Sequence, residues 1–197
     1  MKLYEILGEE EARQWKLSWW DVLDYFKISD KDTDHLHDWA IPWLNDTNPK
    51  AVEKLLKEPK FSKQSQVTLA FDLFLKPEYR GQRGFYGAEI TTIPEVEKLL
   101  EKEVTLWRGG GGTYDKNFYK YKWASFTHDK NRVKAFSEYD GTYSQRGYHT
   151  NSTRKEYWVV ELTLPIKDIL LYLPNGLDSE VIVSVEDAKQ AKVIKQT

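Results

Sequence analysis

At 197 residues, with 40% apolar, 30% charged and 14% aromatic side chains, the chain has the composition of a folded domain that buries its own core, which excludes a disordered segment and a stapled miniprotein. It contains no cysteine, so disulfide frameworks, thiolate nucleophiles and Cys-type zinc sites are excluded as well. A net charge of −2, with the acidic excess in the first hundred residues and a slightly basic second half, lacks the footprint of a non-specific nucleic-acid binder. It suits an anionic ligand in the second half and leaves open a nucleic-acid acceptor held by a local patch.

The opening residues turn acidic after one short apolar patch, without the apolar core of a secretory signal, and no run approaches the ~20 residues of a membrane helix. The expectation is a cytoplasmic protein that makes no membrane contact. Trp15, Trp19, Trp20, Trp39 and Trp43 stand in a helical context, where core packing is favoured over a ligand-stacking surface. His35, His37, His128 and His149 show no metal-ligand spacing, so no metal is expected.

The first hundred residues read as helices. Asn48 and Pro49 ahead of Ala51, Val52, Leu55 and Leu56 combine a capping side chain, a proline suited to the first helical position and apolar residues at helical spacing. Ser65 to Leu75 is apolar enough for a buried helix closed by Pro77. The glycine-, arginine- and aromatic-rich stretch from Glu78 to Gly87 reads as a loop, either covering a core edge or touching a substrate. Thr92 with Glu95 three residues on, then Val96, Leu99 and Leu100, predicts another capped helix.

Past residue 102 the texture changes to short β-branched and aromatic runs at 104–107, 157–164, 169–173, 180–185 and 191–194, punctuated by Pro, Gly, Asn and Asp. These predict strands. Asp129 to Tyr139, carrying Val133, Ala135 and Phe136, predicts the one helix among them, and Thr142 to Lys155 reads as a polar, exposed and mobile connection. The expected class is α+β, a mainly helical region over 1–102 followed by a mostly β region over 103–197. Neither a nucleotide P-loop nor a doubly wound glycine fingerprint occurs.

Three separated pieces of the second half stand in a telling order: Leu106-Trp107-Arg108-Gly109, Ser125-Phe126-Thr127 and Asp178-Ser179-Glu180-Val181-Ile182-Val183. Singly, an arginine before glycines is a solvated turn residue, Ser-x-Thr before Asp is a helix cap, and a glutamate opening a strand is a surface group. Together, over residues 104–197, they resemble the arginine-class (R-S-E) mono-ADP-ribosyltransferases, whose pattern is Arg, then Ser-Thr-Ser, then Gln/Glu-x-Glu. The tone is that of the small bacterial and bacteriophage enzymes of the Alt and Mod type. The resemblance implies a split β-sandwich ADP-ribosyltransferase-like core that binds NAD as co-substrate, with the helical region shaping the cleft and selecting the acceptor.

On that resemblance Glu180 stabilises the oxocarbenium-like ribose as the nicotinamide bond breaks, much as carboxylates do in glycoside hydrolysis. Arg108 offers a planar fork to the pyrophosphate or ribose. Ser125 holds the nicotinamide ribose and steadies the glutamate, and Thr127 supports the same strand end. Asp178 stands where the family has Gln or Glu and acts on the acceptor, one methylene shorter; Phe126 replaces the middle threonine, removing a hydrogen bond from the motif. Gly109 to Gly112 would bring backbone amides to the ligand or form a flexible turn. Phe136, then Tyr139 and Tyr143, are aromatic candidates for stacking on nicotinamide.

The implied activity moves ADP-ribose to a macromolecular acceptor, a protein side chain (a guanidino group first) or else host RNA or DNA, with release of nicotinamide. A bacterial toxin or phage effector, with an antitoxin or inhibitor protein as a possible partner, fits that activity. The alternatives are a non-enzymatic interaction module on the same fold and an NAD glycohydrolase.

Overall fold

A computed structural model describes residues 19–29, 49–74, 93–119, 121–144, 147–153, 155–173 and 179–197, with backbone only at 19, 20, 49, 51, 52, 118, 135, 136, 139–144 and 147–153. The chain divides into two compact units, Met1–Lys102 and Glu103–Thr197. Its class is α+β, with one six-stranded antiparallel sheet in the second unit. Among the described residues no helix is long and apolar enough to cross a membrane.

In the first unit the described elements are helices α1 (Trp19–Tyr25), α2 (Pro49–Leu56), α3 (Pro59–Phe74) and α4 (Ile93–Leu100). Proline opens both α2 and α3, where its missing N–H is no loss and its fixed φ suits the first turn. The third helix therefore begins six residues earlier than the apolar run from Ser65 predicts, and buries Phe61 as well as Val67, Leu69, Ala70 and Phe71. Val96 and Leu100 of α4 are buried four apart, and the Tyr25 hydroxyl of α1 donates to the Glu97 carboxylate at 2.7 Å. Asn48, Thr92, the 78–87 stretch, His35, His37, Trp15, Trp39 and Trp43 lie outside the described residues.

The second unit begins with β1 (Glu103–Gly111) and β2 (Trp123–Thr127), followed by helix α5 (Lys130–Ser137). Asp129 caps α5, its carboxylate accepting the Asn131 N–H at 3.0 Å. Next come β3 (Tyr139–Ser144) and β4 (Gly147–Thr153), β5 (Tyr157–Pro165), β6 (Leu171–Leu173), β7 (Glu180–Ser184), a single helical turn α6 (Val185–Ala188) and β8 (Lys192–Gln196). The stretch expected to be a polar connection from Thr142 is instead a two-stranded antiparallel hairpin, β3 against β4. Its Thr and Tyr residues favour an extended, cross-paired backbone however polar they are.

The sheet order is β6-β7-β2-β1-β5-β8. Strand β1 pairs with β5 along its whole length, from Glu103 opposite Pro165 to Gly111 opposite Tyr157. β2 pairs equally fully with β7, from Trp123 opposite Ser184 to Thr127 opposite Glu180. Between these two ladders the register comes down to one pair, Trp107 opposite Thr127. The sheet is thus two three-stranded ladders joined at a narrow seam. Val181, Ile182 and Val183 of β7 are all fully buried, so that strand is covered on both faces, as its unbroken apolar run requires.

β1 runs straight through Gly109 to Gly111 rather than turning there. A Cβ on Gly109 would lie 2.8 Å from Ser137 Cβ and 3.1 Å from the Val133 carbonyl oxygen of α5, and one on Gly110 would lie 2.5 Å from Trp158 Cζ2. Glycine is needed here because a helix and an indole press on the strand. Gly109→Ala is expected to destabilise the protein by about 1–3 kcal/mol through overpacking. Each kcal/mol reads as roughly a 4–8 °C fall in melting temperature for a unit of this size; an unchanged melting temperature would show that α5 yields freely.

Candidate active site

The seam between the ladders is where the three motifs meet. Arg108 is one residue past the Trp107–Thr127 pair, on β1 as it leaves β2. A backbone carbonyl on an unpaired strand edge needs a donor, and the Ser125 carbonyl finds one in Arg108 Nη1 at 2.7 Å. On the other side of Ser125 its hydroxyl donates to Oε1 of Glu180. The contact follows from register: Glu180 is opposite Thr127, Ser125 is two residues back on the same face, and such diagonal neighbours touch. A guanidinium, a serine and a carboxylate from β1, β2 and β7 therefore form one continuous hydrogen-bonded chain.

Glu180 is buried, 8% exposed, although it opens its strand. The residue before it, Ser179, has φ +47°, a left-handed conformation that side chains other than glycine adopt at a cost of about 1–3 kcal/mol. The chain accepts strain immediately before the carboxylate it buries. Arg108 Nε is also buried, and it has no hydrogen-bond partner among the described residues. Burial lowers the proton affinity of Arg108 below its ordinary value, while Tyr119, Glu180 and Tyr114 oppose that shift, in decreasing order. A guanidinium stays charged through such a change, so the seam holds a desolvated cation with one N–H unused.

Thr127 sits opposite Glu180, but its hydroxyl accepts the Asp129 N–H at 3.1 Å and thereby shapes the turn into α5. Gly109 lies under α5, as described above. Phe136 is on α5, but its side chain, like those of Tyr139 and Tyr143, falls outside the described residues, as does Asp178 altogether. On the face that carries Thr127, the Trp107 indole N–H donates to the Glu161 carboxylate at 2.9 Å, and the Lys130 ammonium lies 5.6 Å from the Trp107 ring. Among the described residues no three metal-ligating side chains cluster.

No family model, curated protein or solved structure matches this chain. The functional reading therefore rests on the geometry of the seam and on the sequence motifs.

Sequence reasoning overlooked the aromatic group beside Arg108. Its Cζ lies 5.8 Å from the centroid of the Tyr119 ring. The Tyr114 and Tyr119 hydroxyls are 3.5 Å apart, and the Tyr114 ring packs on Trp158 at 5.0 Å. The available signal was the run of aromatic residues, Tyr114, Phe118, Tyr119 and Tyr121, between the arginine and serine strands. Burial first, then the hydrogen bond between the Tyr119 and Tyr114 hydroxyls, pushes ionisation of Tyr119 well above its ordinary value of 10. The folded chain thus keeps the phenolic proton where the unfolded chain loses it, and this contribution to stability is complete below pH 10 and declines above it. Unfolding midpoints compared at about pH 9 and about pH 11 should fall less in Tyr119→Phe than in the parent; an equal fall would mean that Tyr119 titrates normally.

Proposed function

We propose that residues 103–197 form an NAD-using mono-ADP-ribosyltransferase on a split β-sandwich, transferring ADP-ribose to a macromolecular acceptor and releasing nicotinamide. The observation that carries this reading is the chain from Arg108 through Ser125 to Glu180, ending in a buried guanidinium N–H without a partner. A half-buried cation with a spare donor is complementary to a phosphate oxygen. A buried carboxylate steadied by the hydroxyl of the same serine is complementary to positive charge developing on a ribose. A dinucleotide presents both groups. Further support comes from the single-pair seam between the two ladders, which frees the strand edge where the Arg108 guanidinium donates to the Ser125 carbonyl.

In the proposed reaction Arg108 holds the pyrophosphate and fixes the pose, at a site where a displacement of about an ångström weakens catalysis strongly. The bond from ribose C1′ to the nicotinamide nitrogen breaks, and its electron pair leaves with neutral nicotinamide. Glu180 stabilises the oxocarbenium-like ribose and orients the 2′-hydroxyl. The acceptor's lone pair then forms the new bond to C1′, and its proton passes to a base, the role assigned to Asp178 two residues before Glu180. A guanidino group on a protein is the first choice of acceptor, and a nucleic acid the second.

The full chain, incubated with cell lysate and NAD labelled in its adenylate, tests this when protein and RNA fractions are analysed separately. Label in protein with matching nicotinamide release is the expected result. Label in nucleic acid would change the acceptor class, and label found only as free ADP-ribose would make the protein a glycohydrolase. Absence of nicotinamide release under every condition would refute the enzyme and favour an interaction module.

A further inference from the structure

We infer that Tyr119 is a positioning residue for Arg108: its ring holds the guanidinium in the pose in which Nη1 meets the Ser125 carbonyl and Nε is left without a protein partner. The inference rests on the NAD reading for its functional consequence, but not for its geometry. Arg108 and Gly110 share a face of β1, being two apart on a strand. Over that face the aromatic rings make a closed bracket. Trp158 presses on Gly110, Tyr114 packs on Trp158 at 5.0 Å, and the Tyr114 hydroxyl reaches that of Tyr119. The Tyr119 ring then returns to Arg108 at 5.8 Å, inside the ~6 Å reach of a cation–π contact. The Tyr119 hydroxyl also donates to the Ala188 carbonyl at 3.5 Å. Ala188 ends α6, the helical turn that follows the Glu180 strand. Tyr119 therefore links the guanidinium to the helical turn that follows the Glu180 strand.

The contacts divide the guanidinium's surroundings. Nη1 is used by the Ser125 carbonyl and the tyrosine ring lies near Cζ, while Nε alone is buried and unpaired. Because the phenol stays neutral, Tyr119 contributes a π face and no competing anion. A ring that merely filled space would serve as well with its electron density withdrawn; a ring that holds a cation would not.

The test combines a ligand-free and a kinetic measurement on the full chain. In the parent, the Arg108 Nε–H signal in a nitrogen-15 NMR spectrum should exchange slowly and be displaced by the ring current. Tyr119→Phe should keep it; Tyr119→Leu should lose it, as should pentafluorophenylalanine at position 119, which preserves ring shape and reverses its quadrupole should the leucine variant not fold. An Arg108 signal unaffected by the fluorinated ring overturns the inference whatever the protein does with NAD. In nicotinamide release, Tyr119→Leu and the pentafluorophenylalanine variant should raise KM for NAD about 3- to 30-fold with kcat nearly unchanged, as loss of uniform binding predicts, while Tyr119→Phe should match the parent. A fall in kcat with KM unchanged would also overturn it. A shifted Arg108 signal without any nicotinamide release from the parent would refute the proposed enzyme and leave the positioning role standing.

Discussion

Glu180→Gln is expected to slow nicotinamide release from NAD by about 10²–10³-fold, with KM nearly unchanged and the fold intact. Glutamine keeps the length of the side chain, and its amide oxygen can still accept the Ser125 hydroxyl now bound by Oε1. Only the charge is lost. A unit charge about 4 Å from a developing cation is worth roughly 4 kcal/mol at an effective dielectric near 20, or about three decades in rate. Because the Glu180 charge also offsets the burial of Arg108, the glutamine variant should melt at a somewhat lower temperature while staying folded under assay conditions. The measurement is steady-state nicotinamide release by the full chain, with thermal unfolding as the control. A glutamine variant as active as the parent would remove Glu180 from the chemistry.

Arg108→Lys should weaken NAD binding by about 10- to 100-fold and also lower stability. An ammonium carries its three donors on one atom, so it cannot span the Ser125 carbonyl and a phosphate at the separation that Nη1 and Nε of the guanidinium bridge. Loss of one charge-assisted hydrogen bond costs about 1.5–3 kcal/mol, which is one to two decades of affinity. If lysine turns to the ligand, the Ser125 carbonyl is left without its donor, at roughly 1–3 kcal/mol of folding free energy. Calorimetric titration with NAD and a thermal melt of the same sample separate the two losses. Unchanged affinity together with a reduced melting temperature would make Arg108 a clamp on the seam and nothing more.

Much of this architecture was legible in the residues, for identifiable reasons. Strand β5 shows itself in Tyr157-Trp158-Val159-Val160, whose bulky and β-branched side chains fit a buried pleat. Helices α2 and α5 are marked by Pro49 and Asp129, where local chemistry decides the matter. The order Arg108, Ser125, Glu180 pointed to one site through the resemblance of the three motifs to the Arg, Ser-Thr-Ser, Gln/Glu-x-Glu pattern, each set in or beside an apolar run. What eluded reading was non-local. The glycines from Gly109 onward look like a turn until α5 and Trp158 are seen to press on them. The polar residues of β3 and β4 look like a connection, since their stabilisation comes from each other across the hairpin. Tyr119 could not be linked to Arg108 because the loop that joins them has no periodicity from which to read its path.

Whether Arg108, Ser125 and Glu180 grip a single NAD molecule is decided by titrating the full chain with NAD and assaying the mixture chromatographically for nicotinamide. Saturable binding of one NAD per chain with nicotinamide appearing, weakened by Arg108→Lys and slowed by Glu180→Gln, is the predicted result. Neither binding nor nicotinamide from a correctly folded parent would contradict it.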